Sequence, residues 1–208
     1  QYIYENAART GKRAQCFGGA KNHMIIMPDA DLEQAADALV GAGFGSAGER
    51  CMAISVAVPV GEGTAEALLE KLVPKVKELR VGHSHDPKSD YGPLVTPESK
   101  ARVLDYIDQG EKAGAEILID GRSVGAYTDE FNGEDISGGY YVGPTLMDKV
   151  TPDMSVYTDE IFGPVLVVVH AKDYEEALRL PNEHEYGNGV AIFTRDGDAA
   201  REFVSKVQ

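Results

Sequence analysis

Helical and strand-like apolar patterns alternate along most of this 208-residue chain, and that alternation limits the possible folds more than any other feature. Apolar residues between positions 32 and 40 recur at helical spacing. The segment 54–60 then alternates apolar with small residues, as a strand does. The same alternation continues to the C-terminus. It predicts an α/β domain with a mostly parallel, buried sheet.

The elements can be placed from spacing and breaker residues. The first helix is predicted to be capped by Asp29 or Asp31 and to end in the glycines 41, 43, 45 and 48, and Pro74 predicts a kink or break in the second. Residues 121–139, rich in Gly, Asp and Ser, predict an exposed loop or hairpin. The predicted helices cover 32–40, 64–79, 99–113, 174–180 and 198–207, and the predicted strands 54–60, 116–119, 140–142, 165–169 and 190–194.

Composition excludes several classes of function. A net charge of −14 argues against nucleic acid or an anionic membrane as partner. The longest apolar run, 165–169, is far too short to span a bilayer, and residues 1–13 form an amphipathic polar segment rather than a signal peptide. Two cysteines give no disulfide framework, so we expect a reducing compartment. Because the chain starts in mid-pattern without an initiator methionine, we expect a piece of a longer protein.

The segment Gly43–Gly48 matches the dinucleotide-binding fingerprint G-x-G-x-x-G, but its context does not fit. That fingerprint follows a strand and opens a helix whose N-terminus holds a pyrophosphate. Here it follows a predicted helix and leads into a predicted strand. We expect these glycines to bend the backbone and to leave space beside the next reactive side chain.

That side chain is Cys51. Free cysteines usually just pack in a core, and a lone cysteine is weak evidence for catalysis. Cys51, however, lies just outside a helix end among small residues and follows Arg50, whose guanidinium would favour a nucleophilic thiolate. Cys16, between Gln15 and Phe17 in an apolar segment, lacks these features and is predicted to be structural.

Four segments together resemble a known family. They are Gly19–His23, Gly48–Ala53, Ala53–Val58 and Thr158–Val165. The second and fourth segments resemble the catalytic domain of aldehyde dehydrogenases. The first and third segments resemble one branch of that family, the CoA-acylating methylmalonate-semialdehyde dehydrogenases. The resemblance implies a three-layer αβα catalytic domain over residues 1–208, with the cofactor-binding domain and a C-terminal segment outside this chain.

The resemblance also implies a mechanism. Cys51 attacks an aldehyde carbon, its backbone N–H stabilises the oxyanion, and a thioester remains on sulfur after hydride transfer to NAD. Glu160 corresponds to the carboxylate that holds the nicotinamide ribose, and Phe162 to the aromatic beside the nicotinamide. Simpler explanations are a solvated loop charge for Glu160 and core packing for Phe162. Arg50 is implied in gripping a semialdehyde carboxylate, the alternative being an ion pair with Glu49 or another acid.

The sequence departs from hydrolytic aldehyde dehydrogenases at one informative position. Aligning Gly19–Lys21 with their Gly-Gly-Lys motif puts Phe17 where they carry a glutamate base. Water needs such a base to attack a thioester, whereas a thiol is partly ionised unaided, so coenzyme A is the implied acyl acceptor. Lys21 receives no firm role, His23 and His184 are interpreted as isolated, and His83 and His85 as a solvent loop rather than a metal site.

The resemblance therefore implies NAD-dependent oxidation of methylmalonate or malonate semialdehyde to propionyl-CoA or acetyl-CoA with loss of CO₂. Two alternatives remain: a hydrolytic NAD(P)-dependent aldehyde dehydrogenase, and a catalytically silent scaffold or oligomerisation domain. We expect a cytoplasmic protein that is a homo-oligomer at full length and uses no metal. The 208 residues alone are predicted to have no dehydrogenase activity.

Overall fold

A computed structural model describes all residues from 1 to 208. The α-helices are Tyr2–Arg9 (α1), Leu32–Phe44 (α2), Thr64–Lys77 (α3), Pro97–Ala113 (α4), Ser155–Thr158 (α5), Tyr174–Glu183 (α6) and Gly197–Lys206 (α7). The strands are Asn22–Ile26 (β1), Ile54–Pro59 (β2), Glu116–Ile119 (β3), Glu130–Phe131 (β4), Glu134–Asp135 (β5), Thr145–Asp148 (β6), Val165–Val168 (β7) and Val190–Phe193 (β8).

Six strands form one sheet in the order β3-β6-β7-β2-β1-β8. Every neighbouring pair is parallel except β3 with β6, at one edge. The prediction of an α/β fold with a mostly parallel sheet is confirmed. Strands β4 and β5 pair as a separate antiparallel hairpin inside the segment 121–139, as its turn-forming composition predicts.

The strand register assigns the helices to the two faces of the sheet. His23, Val56, Val167 and Met147 are register partners on successive strands and therefore share one face. Helices α4 and α5 pack on that face, where Gly110 lies against Met147 and Val156. Helix α2 packs on the opposite face, with Gly43 against Leu166 and the carbonyl of Ile54. The sheet is thus the middle of the three predicted layers.

Two strand predictions were wrong or incomplete. β1 was not predicted, because two of its five buried residues, Asn22 and His23, are polar and leave too short an apolar run to indicate a strand. The predicted strand at 140–142 is instead an irregular segment, exposed at Tyr140 and buried at Tyr141 and Val142, and fixed by hydrogen bonds from Leu94 N–H to Tyr140 O and from the Tyr91 hydroxyl to Val142 O. The strand starts only after Gly143 and Pro144, at β6.

Two helix predictions also need correction. Gly41 and Gly43 do not end the first helix but lie inside α2, which continues to Phe44. A Cβ at Gly43 would stand 3.3 Å from the carbonyl oxygen of Ile54, so the glycine allows close packing on β2. Of the two alternatives predicted at Pro74, the break is wrong, because α3 continues to Lys77, and the kink stays a prediction. Among the seven helices, none has the length and apolar character that crossing a bilayer requires.

Candidate active site

The amino ends of four neighbouring parallel strands meet at one edge of the sheet. The loops entering β1, β2, β7 and β8 contain Gly19–Lys21, Arg50–Ala53, Glu160–Pro164 and Tyr186–Gly189 respectively. Members of the first three loops line one cleft, and members of all four line its continuation. Ligands in open α/β sheets usually bind at the carboxyl ends of the strands, so this edge is an unusual location.

The bend before Cys51 is built from strained backbone. A short 3₁₀ turn, Gly45–Gly48, follows α2, and within it Ser46 and Ala47 have left-handed backbones with φ of 54° and 56°. Each costs about 1–3 kcal/mol, which the surrounding packing must offset. Gly48 (φ 69°) is obligatory, since a Cβ there would lie 2.1 Å from the carbonyl oxygen of Gly163. The bend before Cys51 therefore packs directly against the loop that carries Phe162.

This geometry agrees with the rejection of a phosphate-binding interpretation. The G-x-G-x-x-G segment begins inside the last turns of α2 and leads through Cys51 to β2, so it opens no helix. Cys51 itself is exposed in the turn, at the edge of the cleft.

Arg50 is held by the same bend. Its Nε donates to the Ser46 hydroxyl at 3.1 Å, and its guanidinium lies over Gly45, where a Cβ would come within 2.7 Å of it. The alternative, an ion pair with Glu49 or another acid, does not form, and the hydrogen-bond partner of the guanidinium is the Ser46 hydroxyl. Arg50 thus keeps its planar donor group at the cleft.

Glu160 and Phe162 lie on the opposite wall. One carboxylate oxygen of Glu160 accepts the backbone N–H of Ala20 at 3.1 Å, which joins the loops entering β1 and β7. Phe162 has a left-handed backbone (φ 56°) and keeps 36% of its surface exposed, so its ring is not packed in the core. The structure brings both residues into the cleft that contains Cys51 and Arg50.

Lys21 fastens the loop that carries these two residues. Its buried ammonium donates to the carbonyl oxygens of Val156 at 2.8 Å and Asp159 at 2.7 Å. Burial lowers the pKa of Lys21 to about 7, partly opposed by the charges of Asp159 and Glu160. From the other side, the Tyr106 hydroxyl donates to the Asp159 carboxylate at 3.0 Å. The backbone before Glu160 is therefore fixed from two directions.

The cleft continues as an open channel of about 650 Å³ past Cys51 and Glu160. Phe17 lines it with 87% of its surface exposed. Glu185 also lines the channel. It was not singled out from sequence, where it is one of many acidic residues.

Three assignments made from sequence were wrong. Cys16 is exposed rather than structural. His23 and His184 are not isolated: their ring centroids lie 5.6 Å apart, and His23 Nε2 shares a 3.0 Å hydrogen bond with the Tyr157 hydroxyl. Burial lowers the pKa of His23 to about 3, so it is a neutral member of the core. These errors share a cause, because tertiary burial is set by residues distant in sequence.

Other polar residues were singled out or missed for different reasons. His83 stacks on Phe131 with ring centroids 4.5 Å apart, and no group of three or more His, Cys, Asp or Glu side chains in residues 1–208 is arranged to hold a metal. Sequence inspection missed Asn22 and Asn188, which both donate hydrogen bonds to the carbonyl oxygen of Cys51. Their one signal is position, since each lies at or just before the start of a strand.

The chain matches a protein-family model described as the aldehyde dehydrogenase family over residues 1–208. It is 51% identical, over all 208 residues, to a malonate-semialdehyde dehydrogenase of Pseudomonas aeruginosa, 40% of which it covers. It is 48% identical over 207 residues to the human methylmalonate-semialdehyde/malonate-semialdehyde dehydrogenase (acylating), mitochondrial, and covers 37% of that protein. The chain thus spans about 40% of the length of these curated relatives.

Solved structures agree in fold. A Sinorhizobium meliloti protein, provisionally assigned as a methylmalonate-semialdehyde dehydrogenase and crystallised with NAD, is 61% identical and superposes with a TM-score of 0.93. The match covers 99% of this chain and 40% of that one. The methylmalonate-semialdehyde dehydrogenase of Oceanimonas doudoroffii is 48% identical, with a TM-score of 0.92, over 100% of this chain and 41% of that chain.

Proposed function

The chain belongs to the aldehyde dehydrogenase family, and on that premise we propose that residues 1–208 are the catalytic domain of a CoA-acylating semialdehyde dehydrogenase. One observation carries the proposal: Cys51, Arg50, Glu160 and Phe162 line a single cleft although they come from two loops far apart in sequence. The names of the relatives, which include acylating methylmalonate- and malonate-semialdehyde dehydrogenases, support the choice of substrate.

In this proposal the reaction begins at Cys51. Its exposed sulfur attacks the aldehyde carbon, and the carbonyl oxygen becomes an oxyanion. The backbone N–H of Cys51 is one donor placed to stabilise that charge. Loss of the aldehyde hydrogen as hydride leaves the acyl group on Cys51 as a thioester.

The residues on the opposite wall fit a dinucleotide cofactor. Glu160 presents a carboxylate fixed on the Ala20 N–H, which suits pairing with ribose hydroxyls. Phe162 presents an aromatic surface that is free to pack beside a planar ring. NAD, when bound there, would supply the hydride acceptor that the oxidation requires. The fixation of this wall by Lys21 would keep both groups in place while the acyl group is formed.

Release of the acyl group favours a thiol as acceptor. With Phe17 at the position of the missing base, water has no carboxylate there to remove its proton. The thiol of coenzyme A ionises more easily and can attack the thioester directly. Arg50, which is free of carboxylate partners in the bend, would bind the carboxylate of the semialdehyde. Once the thioester carbonyl forms, that carboxylate lies β to it, which is the arrangement that loses CO₂ readily.

The test uses the full-length protein with malonate semialdehyde and NAD, with and without coenzyme A. We expect a single burst of NADH without coenzyme A, then continuous turnover and formation of acetyl-CoA when it is added. Equal turnover without coenzyme A would favour the hydrolytic alternative, with Glu185 as the first residue to examine as a base. No NADH under either condition would favour the silent scaffold.

A further inference from the structure

The carbonyl oxygen of Cys51 accepts hydrogen bonds from two side-chain amides. Asn22 Nδ2 lies 3.0 Å from it and Asn188 Nδ2 lies 2.6 Å from it. We propose that these two asparagines are positioning residues, which we call the amide clamp, and that the clamp aims the Cys51 sulfur during acylation. The inference rests on the proposed function, because it takes Cys51 as the nucleophile.

Asn22 is the buried half of the clamp. It is only 2% exposed, and its Nδ2 also donates to the carbonyl oxygen of Ala53 at 2.8 Å. Its Oδ1 accepts the backbone N–H of Gly189 at 2.9 Å. Chemistry fixes this orientation, since the reversed amide would set its oxygen against two carbonyl oxygens. One side chain thus joins the loops entering β1, β2 and β8.

Asn188 is the exposed half and lines the channel beside Cys51. The next residue, Gly189, packs so closely on the turn that a Cβ there would lie 2.6 Å from the terminal methyl of Met52. The loop entering β8 therefore lies directly over the peptide bond between Cys51 and Met52. The side chain of Cys51 is exposed, so it does not itself anchor the turn by packing in the core.

Fixing one carbonyl oxygen from two sides fixes the peptide plane that follows the nucleophile. The ψ angle of Cys51 then cannot vary freely, and the direction of its Cα–Cβ bond is set relative to the cleft. A misplacement of about 1 Å at a reacting centre can cost about a hundredfold in rate. A positioning role predicts slower acylation without loss of substrate affinity or of general thiol reactivity.

The experiment compares Asn22→Leu and Asn188→Leu in the full-length protein with a matched control, Asn182→Leu. Leucine keeps the approximate size of asparagine, removes the donors and adds no charge near the sulfur. Asn182 also bridges two segments, donating to Lys206 O and accepting from Gln208 N–H, but it lies outside the cleft. We expect the NADH burst rate to fall about ten- to a hundredfold in the two clamp variants, with little change in the KM for the aldehyde, and to stay at the parent value in the control.

Alkylation by iodoacetamide, followed by mass spectrometry, measures the general reactivity of the Cys51 thiol independently of the orientation of its sulfur toward the aldehyde. The exposed Cys16 serves as the internal reference in each sample. We expect the ratio of Cys51 to Cys16 alkylation to stay near the parent value, because a diffusing reagent does not depend on the aim of the sulfur. A burst rate that falls only in proportion to alkylation would overturn the positioning role, as would unchanged bursts in both folded variants.

A variant that fails to fold can be distinguished from one that folds but acylates slowly. If Asn22→Leu does not fold, Asn188→Leu still tests the clamp, because its side chain is exposed on the channel wall. If the parent enzyme forms no NADH, both the proposed function and the role of the amide clamp are overturned. An active parent with equally fast variants would remove the clamp alone.

Discussion

Strands β1, β2, β7 and β8 have their amino ends at one edge of the sheet, the amino edge, and their carboxyl ends at the other, the carboxyl edge. These two edges are built differently. At the amino edge, Ser46, Ala47 and Phe162 have left-handed backbones, and the buried Lys21 and Asn22 bind carbonyl oxygens of neighbouring loops. At the carboxyl edge, the chain turns through short capped connections. At the ends of these four strands, left-handed non-glycine residues therefore lie on the side where chemistry is proposed, as is common at functional sites, whereas Lys149, which follows the neighbouring β6, is a left-handed residue on the carboxyl side.

The carboxyl edge uses local hydrogen bonds. After β1, Asp31 caps α2 by accepting the Gln34 N–H, and Asp29 accepts the Thr194 hydroxyl and the Arg195 N–H after β8. Asp173 and Asp196 cap α6 and α7 in the same way. These contacts stabilise the fold without forming a cleft. We therefore expect substitutions at the amino edge to affect catalysis and those at the carboxyl edge to affect stability alone.

The largest effect is expected at the nucleophile. In the full-length protein, Cys51→Ala should lower turnover by about 10⁴-fold or more, because no other group can form the thioester. Cys16→Ala should leave turnover near the parent value. Mass spectrometry of a trapped acyl-enzyme locates the adduct, and an adduct on Cys16 would reverse the assignment of the nucleophile.

The next prediction compares the loss of stability caused by Gly48→Ala at the amino edge with that caused by Gly61→Ala at the carboxyl edge. Gly48→Ala should destabilise the protein by about 2–5 kcal/mol, since it adds left-handed strain to an overpacked contact with Gly163. Gly61→Ala, after β2, has φ of 81° but its Cβ would meet only Pro28 at 3.5 Å, so about 1–2 kcal/mol is expected. Chemical denaturation measures both. Equal losses would mean that the contact between the bend and Gly163 can relax.

Arg50→Leu, at the amino edge, tests whether this residue binds the carboxylate of the substrate. Loss of a charge-assisted pair should lower kcat/KM for malonate semialdehyde relative to propionaldehyde by about ten- to a hundredfold, because only the semialdehyde carries a carboxylate. The ratio of the two kcat/KM values, at saturating coenzyme A and constant pH, cancels any shared effect on Cys51. Arg50→Lys keeps the charge without the planar fork and should fall between parent and leucine. An unchanged ratio would show that Arg50 does not bind the carboxylate.

The smallest effect is expected at the carboxyl edge. Asp31→Ala removes the cap of α2 and should lower the Tm by about 2–4 °C. Its kcat should equal that of the parent, since Asp31 lies at the opposite end of the strands from Cys51. Calorimetry and steady-state kinetics on the same preparation check both expectations. A reduced kcat would contradict the separation of the two edges.

The class of fold could be predicted from local patterns in the sequence, and of the carboxyl edge the cap of α2 was one of the two predicted alternatives, Asp29 or Asp31. The alternation of periods is local, and so are the caps: Asp31 and Thr96 each lie three residues before the N–H that they accept. The motif around Cys51 and that around Glu160 were visible as segments. Where sequence patterns failed, contacts with distant residues decided the outcome: β1 buries the polar Asn22 and His23, and the backbone at 140–142 bonds to Leu94 and Tyr91 instead of to a strand.

The meeting of the loops entering β1, β2, β7 and β8 at one edge could not be predicted from the sequence and is seen only in the folded protein. Lys21 reaches carbonyl oxygens of Val156 and Asp159, and Asn22 and Asn188 reach Cys51, across contacts that leave no periodic signal in the chain. Such contacts depend on the order of strands in the sheet, and strand order follows from packing of the whole core rather than from any one segment. For that reason Cys51 could be singled out from sequence as the proposed nucleophile, but the groups that hold its loop could not.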